Sequence, residues 1–169
     1  GYVGGDITAD LLAVDMDKAS KPVLLIDVGT NGEMALGCGD KFVCCSTAAG
    51  PAFEGAQIRF GMTAAEGAIS SVEYHDGALE CKVIGGVEAK GICGSGLIDA
   101  IAVMLEVGAL DETGRVLDVD EDDDIPEEAL PFLTLLDDEP AFRLTEQVYV
   151  TQSDVRKVQL GKGAIAAGI

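Results

Sequence analysis

The sequence predicts an α/β fold, and three features carry this prediction. The apolar run Val23-Leu24-Leu25-Ile26 has the length and composition of a buried strand, and two more strand-like segments follow it after glycine-containing turns. Residues 69–84 show a hairpin pattern, and residues 97–105 and 155–169 place apolar side chains at helical spacing. A chain of 169 residues is long enough for one domain with a hydrophobic core.

The first third of the chain predicts a short helix over residues 6–12 and then a three-stranded antiparallel meander. The first strand begins at Val23, and Asn31-Gly32 is a strong two-residue turn signal before the second strand. Residues 37–40 supply the turn into the third strand, which contains the run Phe42-Val43-Cys44-Cys45.

The remaining elements follow from turn and cap signals. Asp76-Gly77 predicts a second hairpin, and the glycine-rich residues 91–96 lead into a helix with Ser95 as its N-cap. Gly108 stands where the C′ glycine of that helix belongs. Thr151, followed three residues later by Asp154, predicts the start of a final helix.

The charge balance excludes some partners. Thirty acids against eleven bases give a net charge of −19, which argues against nucleic acid because phosphate binding needs clustered Lys and Arg. No apolar stretch approaches the length of a membrane span, so we expect no membrane partner. Residues 111–139 hold thirteen acids and one base, and we interpret them as a solvated loop or inserted linker, with a docking surface for a basic partner as the alternative.

The five cysteines indicate a reducing compartment. Their number is odd and they lack CxxC spacing, so we expect reduced core cysteines in a cytoplasmic protein. The alternative, thiolate or cluster chemistry, applies best to Cys93, which glycines flank closely in sequence.

Residues 23–33, VLLIDVGTNGE, are the most informative stretch for chemistry. A buried strand ends in the carboxylate of Asp27, and Gly29, Thr30, Asn31 and Gly32 follow as a tight turn. Glycines let backbone N–H groups approach a phosphate, and a carboxylate is a suitable partner for Mg²⁺ or its bound water. An ordinary hairpin turn with a capping Asp is the alternative.

Two further segments are candidates for a ligand site. Pro51 suits the first turn of a helix, and Glu54 is placed to polarise a water or a metal shell, unless this loop only joins a strand to a helix. Gly94, Ser95 and Gly96 at a helix start offer N–H donors to an anion, although such glycines equally serve close helix–sheet packing.

Four sequence blocks that contain these candidates, taken in their order along the chain, resemble a known family. DVGTNGE, CCSTAAGPAFEGAQI, GICGSGLIDAI and VTQSDVRKVQLGKGAI together resemble the ATP-dependent reductive activators of corrinoid/iron–sulfur proteins, in the acetate and sugar kinase/Hsc70/actin superfamily. The resemblance implies a ribonuclease-H-like lobe with a mixed sheet that begins with the meander and carries an inserted hairpin. We expect residues 1–169 to form one partial ATPase domain with the acidic insert at about 111–139.

The resemblance also implies a function. Members couple ATP hydrolysis to the reduction of a Co(II) corrinoid to Co(I), which restores methyl transfer. We therefore expect ATP and Mg²⁺ as cofactors, a corrinoid protein as partner, and a [2Fe–2S] cluster only in an N-terminal domain outside this sequence. Asp27 is the expected metal residue and Glu54 the second catalytic candidate. The electron donor is unspecified, and a homodimer is a candidate oligomeric state.

The family's earlier DxGT loop and its Gly-Gly adenosine motif are absent from residues 1–169. We therefore expect this segment alone to be inactive. Two other functions share the motifs or the charge: an activator of a 2-hydroxyacyl-CoA dehydratase or another kinase of the superfamily, and a non-enzymatic acidic docking lobe.

Overall fold

The computed structural model describes residues 3–169, which fold into two compact units. Unit 1 comprises the described residues up to Pro51 together with Leu160–Ile169, and unit 2 comprises Ala52–Gln159. Each unit has its own cluster of buried apolar side chains.

Unit 1 contains the predicted helix and meander. Helix α1 spans Gly5–Ala13, and strands β1 (Val23–Val28), β2 (Gly32–Cys38) and β3 (Lys41–Thr47) pair antiparallel in the order β1-β2-β3. Helix α1 buries Ile7, which packs with Met16 and with Ala35 of β2. The predicted antiparallel meander is confirmed, but β1 is not the buried strand that its apolar run predicted, because most of its apolar side chains are exposed: Val23, Leu24, Ile26 and Val28.

The turn between β1 and β2 differs from the prediction. Val28 pairs with Gly32, so the connection is the three residues 29–31 and not an Asn31-Gly32 pair. Neither Asn31 nor Gly32 adopts the positive φ that a two-residue type I′ turn requires. The prediction was wrong because a sequence signal for a turn does not specify where strand pairing begins.

The cysteines of unit 1 also correct an expectation. Cys38, Cys44 and Cys45 are exposed and not in the core, whereas in unit 2 Cys93 is buried and Cys81 half-buried. In the described part of the chain β3 has a pairing partner on one side only, so its apolar run does not imply burial.

Unit 2 begins with a mixed sheet. Strands β4 (Ala68–His75) and β5 (Ala78–Val83) form the predicted hairpin, whose turn residues Asp76 and Gly77 both have positive φ. Strand β6 (Gly91–Ile92) pairs parallel to β4. The parallel pairing therefore lies in this sheet and not in the meander.

Helix α2 spans Gly94–Glu106 and starts one residue before the predicted cap. Its N-cap is Cys93, so Ser95 lies inside the first turn; the Ser95 hydroxyl donates to the carbonyl oxygen of Ser70 at 2.8 Å instead of capping the helix. Gly108 has the positive φ expected of a C′ glycine. Along the helix, Leu97 and Met104 are buried, whereas the equally apolar Ile98 and Leu105 are exposed.

A second sheet of unit 2 was not predicted. Strands β7 (Leu133–Leu136), β8 (Glu139–Arg143) and β9 (Tyr149–Thr151) pair antiparallel in the order β7-β8-β9. The end of the acidic segment is therefore a strand and not an irregular loop, because the apolar residues of β7 outweigh the acids that flank them.

In the first part of the acidic segment, Arg115 forms ion pairs with two of the acids. Both terminal nitrogens of Arg115 donate to the carboxylate of Asp122, and its Nε donates to Asp111 at 3.3 Å. Asp111 also accepts bonds from the hydroxyl and amide of Thr113 and from the amide of Arg115, which lower its pKa to about 2. These residues form an ordered ion-pair network, so this part of the segment is not a free linker.

Helix α3 spans Gln152–Gly168 and runs from unit 2 into unit 1. The predicted cap is confirmed: Asp154 Oδ2 accepts from the amide and the hydroxyl of Thr151, both at 3.1 Å. Its Oδ1 accepts from the amide of Arg59 at 3.0 Å, and the carboxylate is fully buried. None of the helices in residues 3–169 has the length and apolarity of a membrane crossing.

We expect Asp154→Ala to lower the free energy of unfolding by about 3 kcal/mol, because it leaves the buried amide and hydroxyl of Thr151 and the part-buried amide of Arg59 without their acceptor. Urea denaturation followed by circular dichroism measures the change. Asp124→Ala, at an exposed acid, is the control and should change stability by less than about 0.5 kcal/mol. Equal effects of the two substitutions would contradict this role of Asp154.

Candidate functional site

The candidate phosphate turn, Gly29–Gly32, lies at the end of β1 and is held by backbone bonds. Gly29 N–H donates to the carbonyl of Asn31 at 3.1 Å, and Gly50 N–H donates to the carbonyl of Thr30 at 2.8 Å. The hydroxyl of Thr47 donates to the carbonyl of Gly32 at 3.3 Å. The turn therefore has a defined backbone conformation before any ligand binds.

Packing within the protein already requires a glycine at position 32, whether or not a ligand binds there. A Cβ built on it would lie 2.8 Å from Thr47 Oγ1 and 3.1 Å from a side-chain carbon of Ile165, both in unit 1. A substitution at Gly32 would therefore disturb packing, and it is a poor probe of phosphate binding.

Asp27 lies in a cluster of carboxylates. It sits directly opposite Glu33 in the β1–β2 register, and one carboxylate oxygen from each of Asp6, Asp27 and Glu33 lies within 4.8 Å of the others. Glu33 is buried, and the hydroxyl of Ser46 donates to it at 3.4 Å. Like charges directly opposite each other in a sheet oppose folding unless a proton or cation screens them.

The electrostatics of Asp27 reflect this crowding. Burial raises the pKa of Asp27 above its ordinary value, and the nearby carboxylates of Asp10 and Asp6 raise it further. Three converging carboxylates are the oxygen donors that a hard divalent cation prefers. Asp27, Asp6 and Glu33 therefore fit a Mg²⁺ ion at the base of the phosphate turn.

The other candidates meet in unit 2. Glu54, at the end of a 3₁₀ turn over Pro51–Glu54, lines one cavity of about 370 Å³ together with Cys93, Gly94 and Ser95. The fold thus brings Glu54 to the start of α2, although these residues are far apart in sequence. Asp27 and the phosphate turn belong to unit 1, and Glu54, Gly94, Ser95 and Gly96 belong to unit 2.

The glycines at the start of α2 have a packing role. A Cβ on Gly94 would lie 1.8 Å from the carbonyl oxygen of Phe53, and one on Gly96 would lie 2.3 Å from that of Ile69. Backbone atoms cannot move aside easily, so both positions exclude side chains. This supports the packing interpretation for Gly94 and Gly96, while Ser95 N–H and Gly96 N–H remain candidates for anion binding.

Sequence reasoning missed the acids around Asp27. Asp6 and Asp10 were assigned only to a helix, and Glu33 only to the strand after the turn. Two signals were available: Asp6 and Asp10 are four residues apart and so share one face of α1, and Glu33 belongs to the turn motif itself. The convergence of α1 with β1 could not be read from either signal.

We expect Gly94→Ala and Gly96→Ala each to destabilise the protein by about 1–3 kcal/mol, the usual cost of overpacking. Gly163→Ala is the matched control, since Gly163 is also helical but has no atom within 4 Å of a built Cβ. That change should stabilise the protein by up to about 1 kcal/mol. Thermal denaturation compares the three; a Gly94→Ala variant as stable as the parent would remove the packing role.

Comparisons with known proteins identify the family of the chain. Residues 21–169 match the family described as the C-terminal domain of RACo, the ASKHA domain. The chain is 39% identical over 176 residues to the corrinoid activation enzyme RamQ of Eubacterium limosum, covering 99% of this chain and 29% of that protein. It is 38% identical to the Methanosarcina barkeri [Co(II) methylated amine-specific corrinoid protein] reductase, covering 65% of this chain and 24% of that protein.

A solved structure is similar as well. The reductive activator for corrinoid, iron–sulfur protein superimposes with a TM-score of 0.86 at 35% identity, over 99% of this chain and 27% of that one. The chain thus spans under a third of the length of these relatives. The α/β fold predicted from the sequence is that of an actin-like ATPase domain, and the chain belongs to the family of RACo C-terminal ASKHA domains.

Proposed function

We propose that this chain is part of an ATPase that couples ATP hydrolysis to the reduction of a Co(II) corrinoid protein to its Co(I) state. One observation carries the proposal: a glycine-containing turn with a defined backbone follows β1 and stands beside the carboxylate of Asp27, in a chain that belongs to an ASKHA family. Relatives that match most of the chain are named as corrinoid activators.

Asp27 and the phosphate turn have separate roles in this proposal. The N–H groups of Thr30 and Asn31 and the side chains of these two residues bind phosphate oxygens, since oriented amides stabilise negative charge. Gly29 N–H instead holds the turn closed through the carbonyl of Asn31, and Gly29 and Gly32 leave room for the phosphate beside these amides. Asp27, Asp6 and Glu33 would hold Mg²⁺, which supplies neutralisation of phosphate charge when it is bound. The acids of this cluster disfavour a bare phosphate, so nucleotide affinity depends on the cation.

Unit 2 carries its own candidate residues. Glu54 orients a water or a metal-bound water, and Ser95 and Gly96, with Gly94 before them, present amides at the positive end of α2. Catalysis of phosphoryl transfer is mainly positioning and electrostatic stabilisation. Both units therefore belong to one ATPase region in this proposal, with ATP and Mg²⁺ as its cofactors.

In this proposal, the electrons that reduce the corrinoid do not come from residues 1–169. The five cysteines are divided between the two units, three in unit 1 and two in unit 2. We therefore assign the [2Fe–2S] cluster to another part of the full-length protein. The corrinoid protein accepts one electron from a low-potential donor, and the reduced thiols fit a cytoplasmic location.

The names of the relatives favour this function over the alternatives. A dehydratase activator or a kinase shares the phosphate turn, and an acidic docking lobe would use residues 111–139 alone. The ordered network around Arg115 ties part of that segment into the fold, which favours a structural role for those acids.

The function is tested with the full-length protein, a Co(II) corrinoid protein and a low-potential reductant. The Co(II) and Co(I) states have different visible spectra, so reduction is followed directly. We expect Co(I) to accumulate only when Mg²⁺ and ATP are both present. Reduction at the same rate without ATP would contradict the coupling, and transfer of phosphate from ATP to a small-molecule acceptor without any corrinoid reduction would favour the kinase alternative.

A second prediction concerns Asp27. Because its folded-state pKa is raised, ionised Asp27 destabilises the fold, and this penalty is absent at low pH and grows as the pH rises through that pKa. We therefore expect Asp27→Asn, in EDTA at pH 7, to melt above the parent, and the difference to vanish near pH 3. Mg²⁺ should raise the melting temperature of the parent at pH 7 and that of the variant much less.

Calorimetry at several pH values measures both effects. Asp40→Asn, at an exposed acid of the β2–β3 turn, is the control. Mg²⁺ should raise its melting temperature as much as that of the parent. If Mg²⁺ stabilises the Asp27→Asn variant as much as the parent, Asp27 is not a metal residue.

A further inference from the structure

We propose that residues 47–50, the last residue of β3 and the three residues that follow it, position the phosphate turn for nucleotide, with Gly50 as the positioning residue. The inference rests on the proposed ATPase function and adds a role that the chain's motifs do not assign. We call residues 47–50 the latch. All of its contacts described below lie within unit 1.

The latch holds the phosphate turn at its centre. Gly50 N–H donates to the carbonyl of Thr30 at 2.8 Å, the middle residue of the three-residue connection. Thr47 hydroxyl donates to the carbonyl of Gly32 at 3.3 Å. Ala49 N–H donates to the carbonyl of Thr47 at 3.0 Å, which folds the latch back on itself.

The bond to Thr30 determines where an amide points. In a trans peptide the carbonyl of one residue and the N–H of the next lie in one plane and point in opposite directions. Because Gly50 holds the carbonyl of Thr30, the N–H of Asn31 is directed away from the latch. A fixed donor binds phosphate with less loss of conformational freedom than a mobile one.

The identity of Gly50 follows from its backbone and not from crowding. Its φ is +80°, and no atom lies within 4 Å of a Cβ built on it. An alanine would therefore meet no clash, but the strain of a positive φ would shift the backbone and with it the N–H that bonds Thr30. Gly50→Ala thus strains the latch without creating a clash with other protein atoms.

Gly39 offers a closely matched control. It lies in the β2–β3 turn of the same unit, with φ of +61° and no atom within 4 Å of a built Cβ. Its N–H also donates a backbone bond, to the carbonyl of Ala19 at 3.1 Å. Gly39→Ala therefore imposes the same kind of strain at a turn that holds no phosphate.

The experiment measures Mg·ATP affinity by calorimetry, and the KM and kcat of ATP hydrolysis, in the full-length protein. We expect Gly50→Ala to weaken ATP binding about tenfold, comparable to one hydrogen bond to a charged group. Gly39→Ala should bind ATP like the parent. Both variants should lose a similar few degrees of melting temperature, so stability alone does not separate them and affinity does.

Three results overturn the proposal: equal ATP affinity in both variants and the parent, equal weakening in both variants, or a loss in kcat with KM unchanged in Gly50→Ala. A parent protein that does not bind Mg·ATP at all overturns the ATPase function itself, which is a distinguishable outcome.

If Gly50→Ala does not fold, the ATP affinities of Thr47→Val and Thr47→Ser test the latch instead. The hydroxyl-free valine should weaken ATP binding and the serine should restore it; identical affinities would overturn the latch.

Discussion

The buried carboxylate of Asp154 is the interaction on which much of the fold depends. A charged group without solvent costs several kcal/mol unless its oxygens accept hydrogen bonds, and Asp154 meets this condition with the amide and hydroxyl of Thr151 and the amide of Arg59. The end of β9, the start of α3 and the loop containing Arg59 must therefore arrive together. All of these contacts lie within unit 2, where Asp154 fixes the first turn of α3 against Thr151 and the Arg59 loop.

Glycine has two different functions in this protein, and they have different consequences for a phosphate site. Gly94 and Gly96 exclude side chains because carbonyl oxygens lie where a Cβ would be, so they serve the packing of α2. Gly50 has open space around it and is required only by its positive φ. The first kind allows two backbones to approach closely, whereas the second kind determines where an N–H group points.

The acidic side chains also fall into two groups with different surroundings. The net charge of −19 belongs partly to an acidic segment that Arg115 organises through Asp111 and Asp122, which satisfies some of those acids within the fold. The carboxylates of Asp6, Asp27 and Glu33 instead face one another, and within residues 3–169 none of them forms an ion pair with a Lys or Arg side chain. In the proposed ATPase function, this cluster beside the phosphate turn would make phosphate binding depend on a cation.

The sequence by itself determined the elements whose signals are local. The meander, the Asp76-Gly77 hairpin, the helix over Gly94–Glu106 and the Thr151–Asp154 cap follow from periodicity, turn residues and side chains that bond within three or four residues. The candidate phosphate turn was also recognisable as a motif, because its residues are adjacent in the sequence.

Tertiary structure decided the features that depend on residues distant in the sequence. Strand pairing made the turn three residues long, and α2 begins at Gly94 and not after Ser95. The end of the acidic segment pairs with β8 and is therefore strand β7. The approach of α1 to β1 brought Asp6 to Asp27, and the end of β3 brought Gly50 to Thr30. These contacts depend on the packing of whole elements, which no pattern of neighbouring residues specifies.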